Sequence, residues 1–252
     1  MHSKVAANSQ SSGLPPHRFS LSRLEQMSPW TTSRAKRIFD IAVVLASAPV
    51  VFPLLLLIAL AVVTSSSGPV LFRQRRLGRF GEPFEIYKFR TMQHAAGSHR
   101  ETIAAMSADQ ITPLGQILRW IKLDELPQVL NVLAGEMSLV GPRPRVPEQQ
   151  LELLRCRPGV TGLATLAFAR EESLFALVPK DTLPEYYRKI ILPAKQRLDA
   201  SYMKHATLFS DLKLIVDTAL GRWGAYARFV PSHSLHIHVP ERRPEIQSAA
   251  LQ

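Results

Sequence analysis

The chain has 252 residues, with 31 Lys and Arg against 20 Asp and Glu, a formal charge of +11. A hydrophobic content of 46% excludes a wholly disordered chain, and a single cysteine, Cys156, excludes an intramolecular disulfide or a Cys-cluster zinc site. The charge points to acidic partners: nucleic acid, anionic lipid or phosphorylated substrates.

Residues 1–33 hold Ser, Pro and His without a sustained apolar period and read as a flexible basic tail. The next unit, 34–69, is dominated by an apolar run at 41–63, in which Ser47 is the sole polar side chain. As a helix this run is about 34 Å long, and a hydrocarbon core is about 30 Å thick. Pro49 and Pro53 interrupt its hydrogen bonding, and both flanks are rich in Lys and Arg. Same-sign flanks favour one side of a membrane, so a helix that bends at its prolines and returns fits better than a full span. A buried core helix is the bland alternative.

Residues 70–225 read as the main folded unit. A hairpin is predicted over 70–92, with its turn at Gly78, Gly81 and Pro83. Residues 93–112 read as a polar loop with a short helix. Residues 114–122 place Leu114, Ile117, Leu118 and Ile121 on one helical face, and 124–134 form the next helix with Asp124, Glu125 and Pro127 in its opening turn. Leu208, Leu212, Ile215, Val216 and Ala219 follow helical spacing, and Gly221 stops that helix. Residues 226–252 read as a C-terminal tail. The fold class is α+β, predominantly helical, with one small β-hairpin element.

The chemistry concentrates in KLDELPQVLNVLAGEMSLVGPRPR, residues 122–145. Adjacent acids at a helix start are ordinary capping when alone, and the helix dipole favours their ionised form. Here they share the chain with Lys88, Arg90, Arg119, Arg143 and Arg145. Cations around two acids suit a phosphate site in which a carboxylate attacks or holds a metal. Spacing alone does not bring these segments together. Cys156 reads as a buried small side chain, and the basic stretch Arg73–Arg79 lacks the interleaved aromatics of a nucleic-acid binder.

The chain resembles the bacterial sugar transferase family, the monotopic phosphoglycosyl transferases, in their minimal catalytic form. The resemblance rests on KRIFD (36–40), the apolar run with Pro49, the stretch from Arg76 to Met92, LDELPQ through GPRP (123–144), RPGVTGLA (157–164), and D-x-x-Y (199–202) with DLKLIVDT (211–218). It implies transfer of a sugar phosphate from a nucleotide sugar, usually a UDP-sugar, to undecaprenyl or another polyprenyl phosphate. Such a sugar-1-phosphate transferase would start an exopolysaccharide, O-antigen or glycoprotein glycan. Carried over, Asp124 is the nucleophile that forms a covalent phosphosugar, and Glu125 orients or deprotonates the lipid phosphate. Mg²⁺ sits near Asp124. Lys88, Arg90, Arg119, Arg143, Arg145, Arg157 and Arg170 are the phosphate- and substrate-binding candidates. The implied membrane element is a re-entrant helix with its break at Pro49 or Pro53, on the cytoplasmic face of the bacterial inner membrane.

Two departures from the family stand out. The Ser-Pro of the break is here Ser47-Ala48-Pro49, and residues 163–173 (LATLAFAREES) replace the usual polar stretch, with Arg170 shifted by one residue. Expected partners are a nucleotide sugar, polyprenyl phosphate and membrane lipids, not nucleic acid; a homo-oligomer stays open. The rival reading is a non-catalytic, membrane-anchored lipid-binding protein.

Overall fold

The computed structural model describes residues 27–93, 111–147, 153–171, 175, 178–179, 182–223 and 226. Most of the expected loop at 93–112 and most of both expected tails lie outside them. The expected N-terminal tail gives way to packed structure at its end. Ser28 donates its hydroxyl to Ala206 O (2.5 Å) and its amide to Met203 O (2.9 Å), and Pro29–Thr32 form a 3-10 turn. Ser33 then caps helix α1 (Arg34–Ser65) by accepting from Lys36 N at 3.0 Å.

The expected break at the prolines is absent as a gap: α1 is one helix of 32 residues containing Pro49 and Pro53. Each proline removes one donor, so the carbonyls of Leu45 and Pro49 lose their usual partners. Packing compensates on one stripe. Val44 is buried with Phe84, Ile86, Val129, Val132 and Met137, flanked by Val51 and Leu55. Further along, Ile58 and Val62 are buried with Phe89 and Leu118. The same body therefore holds α1 at both ends. Its other faces are apolar and open: Val50 is 72% exposed and Leu56 71%.

Strands β1 (Leu71–Leu77) and β2 (Pro83–Phe89) form the expected hairpin, with Gly81 at φ 82° in the turn. Pro83 begins β2, where a missing donor does no harm. Phe72 pairs with Lys88, Gln74 with Ile86 and Arg76 with Phe84, so these share a face. Helix α2 (Pro113–Trp120) follows, capped by Thr112, then a 3-10 turn (Leu123–Gln128) and α3 (Val129–Ala134). The sequence reading missed a parallel pair, β3 (Ser138–Val140) with β4 (Gly159–Thr161). A Cβ at Gly159 would lie 2.1 Å from Gly141 N, so the GPRP and RPGVTG segments approach backbone to backbone. Helix α4 (Leu163–Ala167) comes next. Helix α5 (Leu183–Tyr186), a π-helical turn (Tyr187–Ile191) and α6 (Leu192–His205) are continuous, and α7 (Leu208–Ala219) ends before Gly221 at φ 64°.

Two faces differ from expectation. In α2, Leu118 is buried but Ile117 is 57% exposed. In α7 the apolar Leu208, Leu212 and Val216 face outward, while Asp211, Leu214 and Asp217 are buried. In α7 the cause is a buried polar cluster. Lys36 Nζ lies 2.6 Å from Asp40 and 2.9 Å from Asp211. Asp211 also accepts from Trp30 Nε1 and the Tyr202 hydroxyl, each at 2.8 Å. Asp40 accepts from Ser138 Oγ at 2.7 Å. Every charge is thus paired or hydrogen-bonded, and α1 is tied to β3, α6 and α7.

Removing the cation from this cluster strands two buried carboxylates. Lys36→Met is expected to lose about 3–5 kcal/mol of stability. Arg73→Ala, at the solvent-exposed Arg73–Glu85 pair, is expected to lose less than about 1 kcal/mol. Thermal unfolding of the two variants in one detergent checks this; equal, small losses would contradict it.

Candidate active site

Three distant segments meet at Glu125. Its Oε1 lies 2.6 Å from Lys88 Nζ on β2 and 2.7 Å from Arg143 Nη2 in the GPRPR loop. Arg143 Nη1 reaches Oε2 at 3.5 Å, so the guanidinium grips both oxygens. Burial alone would raise the Glu125 pKa. Arg143 and Lys88 overcome it and hold the carboxyl well below the usual range.

Asp124 is the opposite case. It is 7% exposed, and its Oδ1 is buried without a hydrogen-bond partner among the described residues. Burial raises its pKa; Lys88 opposes this, Glu125 adds to it, and Lys122 and Arg119 oppose it further. The expectation that a helix start favours both ionised forms is not met at Asp124, which lies in a 3-10 turn where burial is the largest influence on its pKa. Two neighbouring carboxyls pushed apart in this way are what a site with distinct acid roles needs.

Local structure explains the placement. Lys122 sits at φ 61°, ψ 20°, a left-handed conformation unfavourable for a non-glycine residue. It turns the chain from α2 directly into the 3-10 turn, so Asp124 follows at once. Asn131 fixes β2 beside that turn: Tyr87 N donates to its Oδ1 at 3.2 Å, and its Nδ2 donates to Glu85 O at 2.7 Å. The GPRPR loop is held by Asp199 of α6. Arg145 Nη2 is 2.5 Å from Asp199 Oδ2, both groups buried, and Arg143 N donates to Oδ1 at 3.4 Å. Burial pushes the Asp199 carboxyl up to about 6 despite the Arg145 charge. Leu77 N donates to Arg145 O at 3.0 Å, joining hairpin and loop.

Of the sequence candidates, the structure brings Asp124, Glu125, Lys88, Arg119 and Arg143 together. Arg119 Nε donates to Thr91 Oγ1 at 2.9 Å while its charge acts on Asp124. Arg90 goes elsewhere: it is buried at the end of α1, donating to Pro69 O and Ser66 O at 2.6 Å. Cations at a helix C-terminus satisfy its free carbonyls. Arg145 serves Asp199, and Arg157 Nε donates to Gly135 O at 2.7 Å. Arg170 is exposed beyond α4 and has no ion pair among the described residues. Its neighbour Glu171 pairs with Lys195 and lies near enough to raise the Arg143 pKa. Cys156 is buried as expected, its thiol pushed up to about 12 by burial and then by Asp199.

Sequence reasoning missed Lys122, Asn131, Glu171 and Asp199. Asp199 lay in a quoted motif, but its role depends on a partner 54 positions away.

Among the described residues no three His, Cys, Asp or Glu side chains gather into a metal cage. Mg²⁺ does not require one. It commonly binds one or two carboxylates, with substrate phosphates and water completing the shell. The unpartnered Asp124 Oδ1 fits that habit.

The family model described as bacterial sugar transferase matches residues 31–223. A UDP-glucose:undecaprenyl-phosphate glucose-1-phosphate transferase of Caulobacter vibrioides is 38% identical over 194 residues, covering 73% of this chain and 67% of the relative. The Escherichia coli protein of the same name is 35% identical over 190 residues, 71% of this chain but 38% of the relative. The exopolysaccharide production protein ExoY of Rhizobium meliloti is 34% identical over 207 residues, 73% of this chain and 83% of the relative. With the match running from the start of α1 past the end of α7, the chain belongs to the bacterial sugar transferase family.

Proposed function

We propose that this protein is a sugar-1-phosphate transferase that moves a sugar phosphate from a UDP-sugar to a polyprenyl phosphate such as undecaprenyl phosphate. One observation carries the mechanism: of two adjacent buried acids, Glu125 is committed to Lys88 and Arg143, and Asp124 keeps an unpartnered oxygen. The relatives' names supply the substrate class, with UDP-glucose the first donor to try.

In the first step an Asp124 oxygen attacks the sugar-bearing phosphorus. The bond from that phosphorus to the bridging oxygen breaks, and UMP leaves with the electron pair. In the second step an oxygen of the lipid phosphate attacks the same phosphorus. The bond to Asp124 breaks, the carboxylate is regenerated, and a polyprenyl diphosphate sugar is released. Splitting one transfer into two is the gain of covalent catalysis. Lys88, Arg119 and Arg143 reduce the repulsion between anionic nucleophile and anionic substrates. Glu125, already ion-paired, is a poor base; it acts by holding Lys88 and Arg143 in place. Asp124 would hold Mg²⁺, which supplies further neutralisation of phosphate charge.

The membrane reading fits the same architecture. The open faces of α1 are apolar, yet both its ends pack on one body. A helix crossing to the far side could not keep both contacts. This supports entry and return on the cytoplasmic face, where nucleotide sugars are available.

The direct test is UMP release by detergent-solubilised protein with Mg²⁺, undecaprenyl phosphate and a panel of UDP-sugars. Asp124→Asn is expected to abolish it; release that survives would remove Asp124 as nucleophile. Release should also occur in sealed inside-out vesicles and not in right-side-out ones.

The raised Asp124 pKa belongs to the metal-free site. Without Mg²⁺ the folded site takes up the Asp124 proton at a higher pH than an ordinary aspartate. Lys88→Met removes a charge that lowers this pKa, so the titration should move to still higher pH. Carboxyl-carbon NMR titration of both proteins without metal checks the sign, and a midpoint unmoved or displaced downward would contradict it.

A further inference from the structure

A second group of cations stands apart from the catalytic pair. Arg37, in the first turns of α1, donates from Nη1 to Val132 O at 2.5 Å and from Nη2 to Leu133 O at 3.1 Å. Arg157 donates to the adjacent Gly135 O at 2.7 Å. Arg79, in the hairpin turn, donates to Arg155 O at 3.1 Å and stacks 4.5 Å from the Phe80 ring centroid. Arg155 Nη1 is buried with no hydrogen-bond partner among the described residues.

None of these four arginines pairs with a carboxylate among the described residues. The nearby acids are spent or turned away. Asp40 serves Lys36, Ser138 and Leu139 N; Glu136 accepts from Asn131; Glu82 of the same turn is exposed without an ion pair. The arginines feel one another: burial, then Arg37 and Arg79, lower the Arg157 pKa, and Asp40 opposes them only in part. Like charges held close in this way favour an anion between them. The guanidinium fork matches phosphate oxygens, and backbone carbonyls already fix the orientation of three of the four.

The rim says which phosphate. Phe80 is 59% exposed at φ 58°, and Leu153 is 37% exposed beside it; a Cβ on Gly81 would come within 2.9 Å of its Cδ2. Arg37 belongs to the helix whose remaining faces are apolar and open. Cations bordered by exposed aromatic and aliphatic side chains suit the boundary between headgroups and acyl chains. A soluble phosphate has no use for such a rim.

We propose that Arg37, Arg79 and Arg157 form a binding site for the phosphate of an anionic phospholipid headgroup, distinct from the catalytic pair. The site anchors the hairpin turn and the C-terminal end of α3 to the lipid surface where α1 begins. The inference rests on the membrane association of α1 but not on the chemistry at Asp124.

Native mass spectrometry of the full chain in a nonionic detergent tests it, with phosphatidylglycerol or phosphatidylcholine titrated in. Arg79→Gln should weaken phosphatidylglycerol retention, and Arg79→Gln with Arg157→Gln should weaken it roughly tenfold, leaving phosphatidylcholine unchanged. Equal phosphatidylglycerol retention by native and variant proteins would overturn the site. Displacement of the lipid by inorganic phosphate would overturn the headgroup assignment in favour of a soluble anion. If the double variant unfolds, Arg79→Gln alone decides, because its side chain holds only one backbone carbonyl. UMP release by Arg79→Gln in detergent should match the native rate. Loss of lipid retention with release intact separates this site from the catalytic reading.

Discussion

The Glu125 carboxylate is where the molecule closes on itself. A strand, a 3-10 turn and a proline-stiffened loop supply Lys88, Glu125 and Arg143, and the carboxylate joins all three. An ion pair this buried is not in itself a strong source of stability. Its value here is geometric. It fixes two cations at the mouth of the turn and leaves the neighbouring Asp124 buried, under-solvated and free. The division of labour between two chemically similar residues follows from that one node.

Around it the fold is a set of restraints on the same geometry. Asn131 ties β2 to α3, Asp199 ties the GPRPR loop to α6, and Lys122 accepts an unfavourable backbone conformation to bring α2 straight into the catalytic turn. The Lys36 cluster secures α1 to the body, so the apolar helix is part of the core as well as an exposed apolar surface. The same helix carries Arg37 near its start and ends at Arg90, which donates to Val62 O and Ser66 O. The seating of α1 and the order of the site are therefore mechanically connected.

Much of this was legible in the sequence, for local reasons. The hairpin follows from Gly78, Gly81 and Pro83, and the apolar run from its composition. The Asp-Glu pair at a helix opening is visible as such. What spacing could not supply was which cation meets which acid. Arg90 lies two residues beyond Lys88 on the same strand, yet it serves a helix end. Arg145 lies two beyond Arg143, yet it serves Asp199. In α7 periodicity pointed to Leu208, Leu212 and Val216, but the buried side holds Asp211, whose partners lie on other elements, and Asp217, which pairs with Lys213 of the same helix. Helical periodicity finds a face; buried polar networks decide which face turns inward. The unbroken path of α1 through two prolines is the same lesson, since its stripe of packing is tertiary.

The central claim is that Asp124 becomes covalently loaded while Glu125 does not. Intact-mass measurement addresses it directly. The full chain is mixed with Mg²⁺ and the UDP-sugar that supports UMP release, without lipid acceptor. A mass increase of one sugar phosphate is expected, localised to Asp124, absent in Asp124→Asn and discharged when undecaprenyl phosphate is added. UMP release without any adduct, or an adduct that persists in Asp124→Asn, would contradict it.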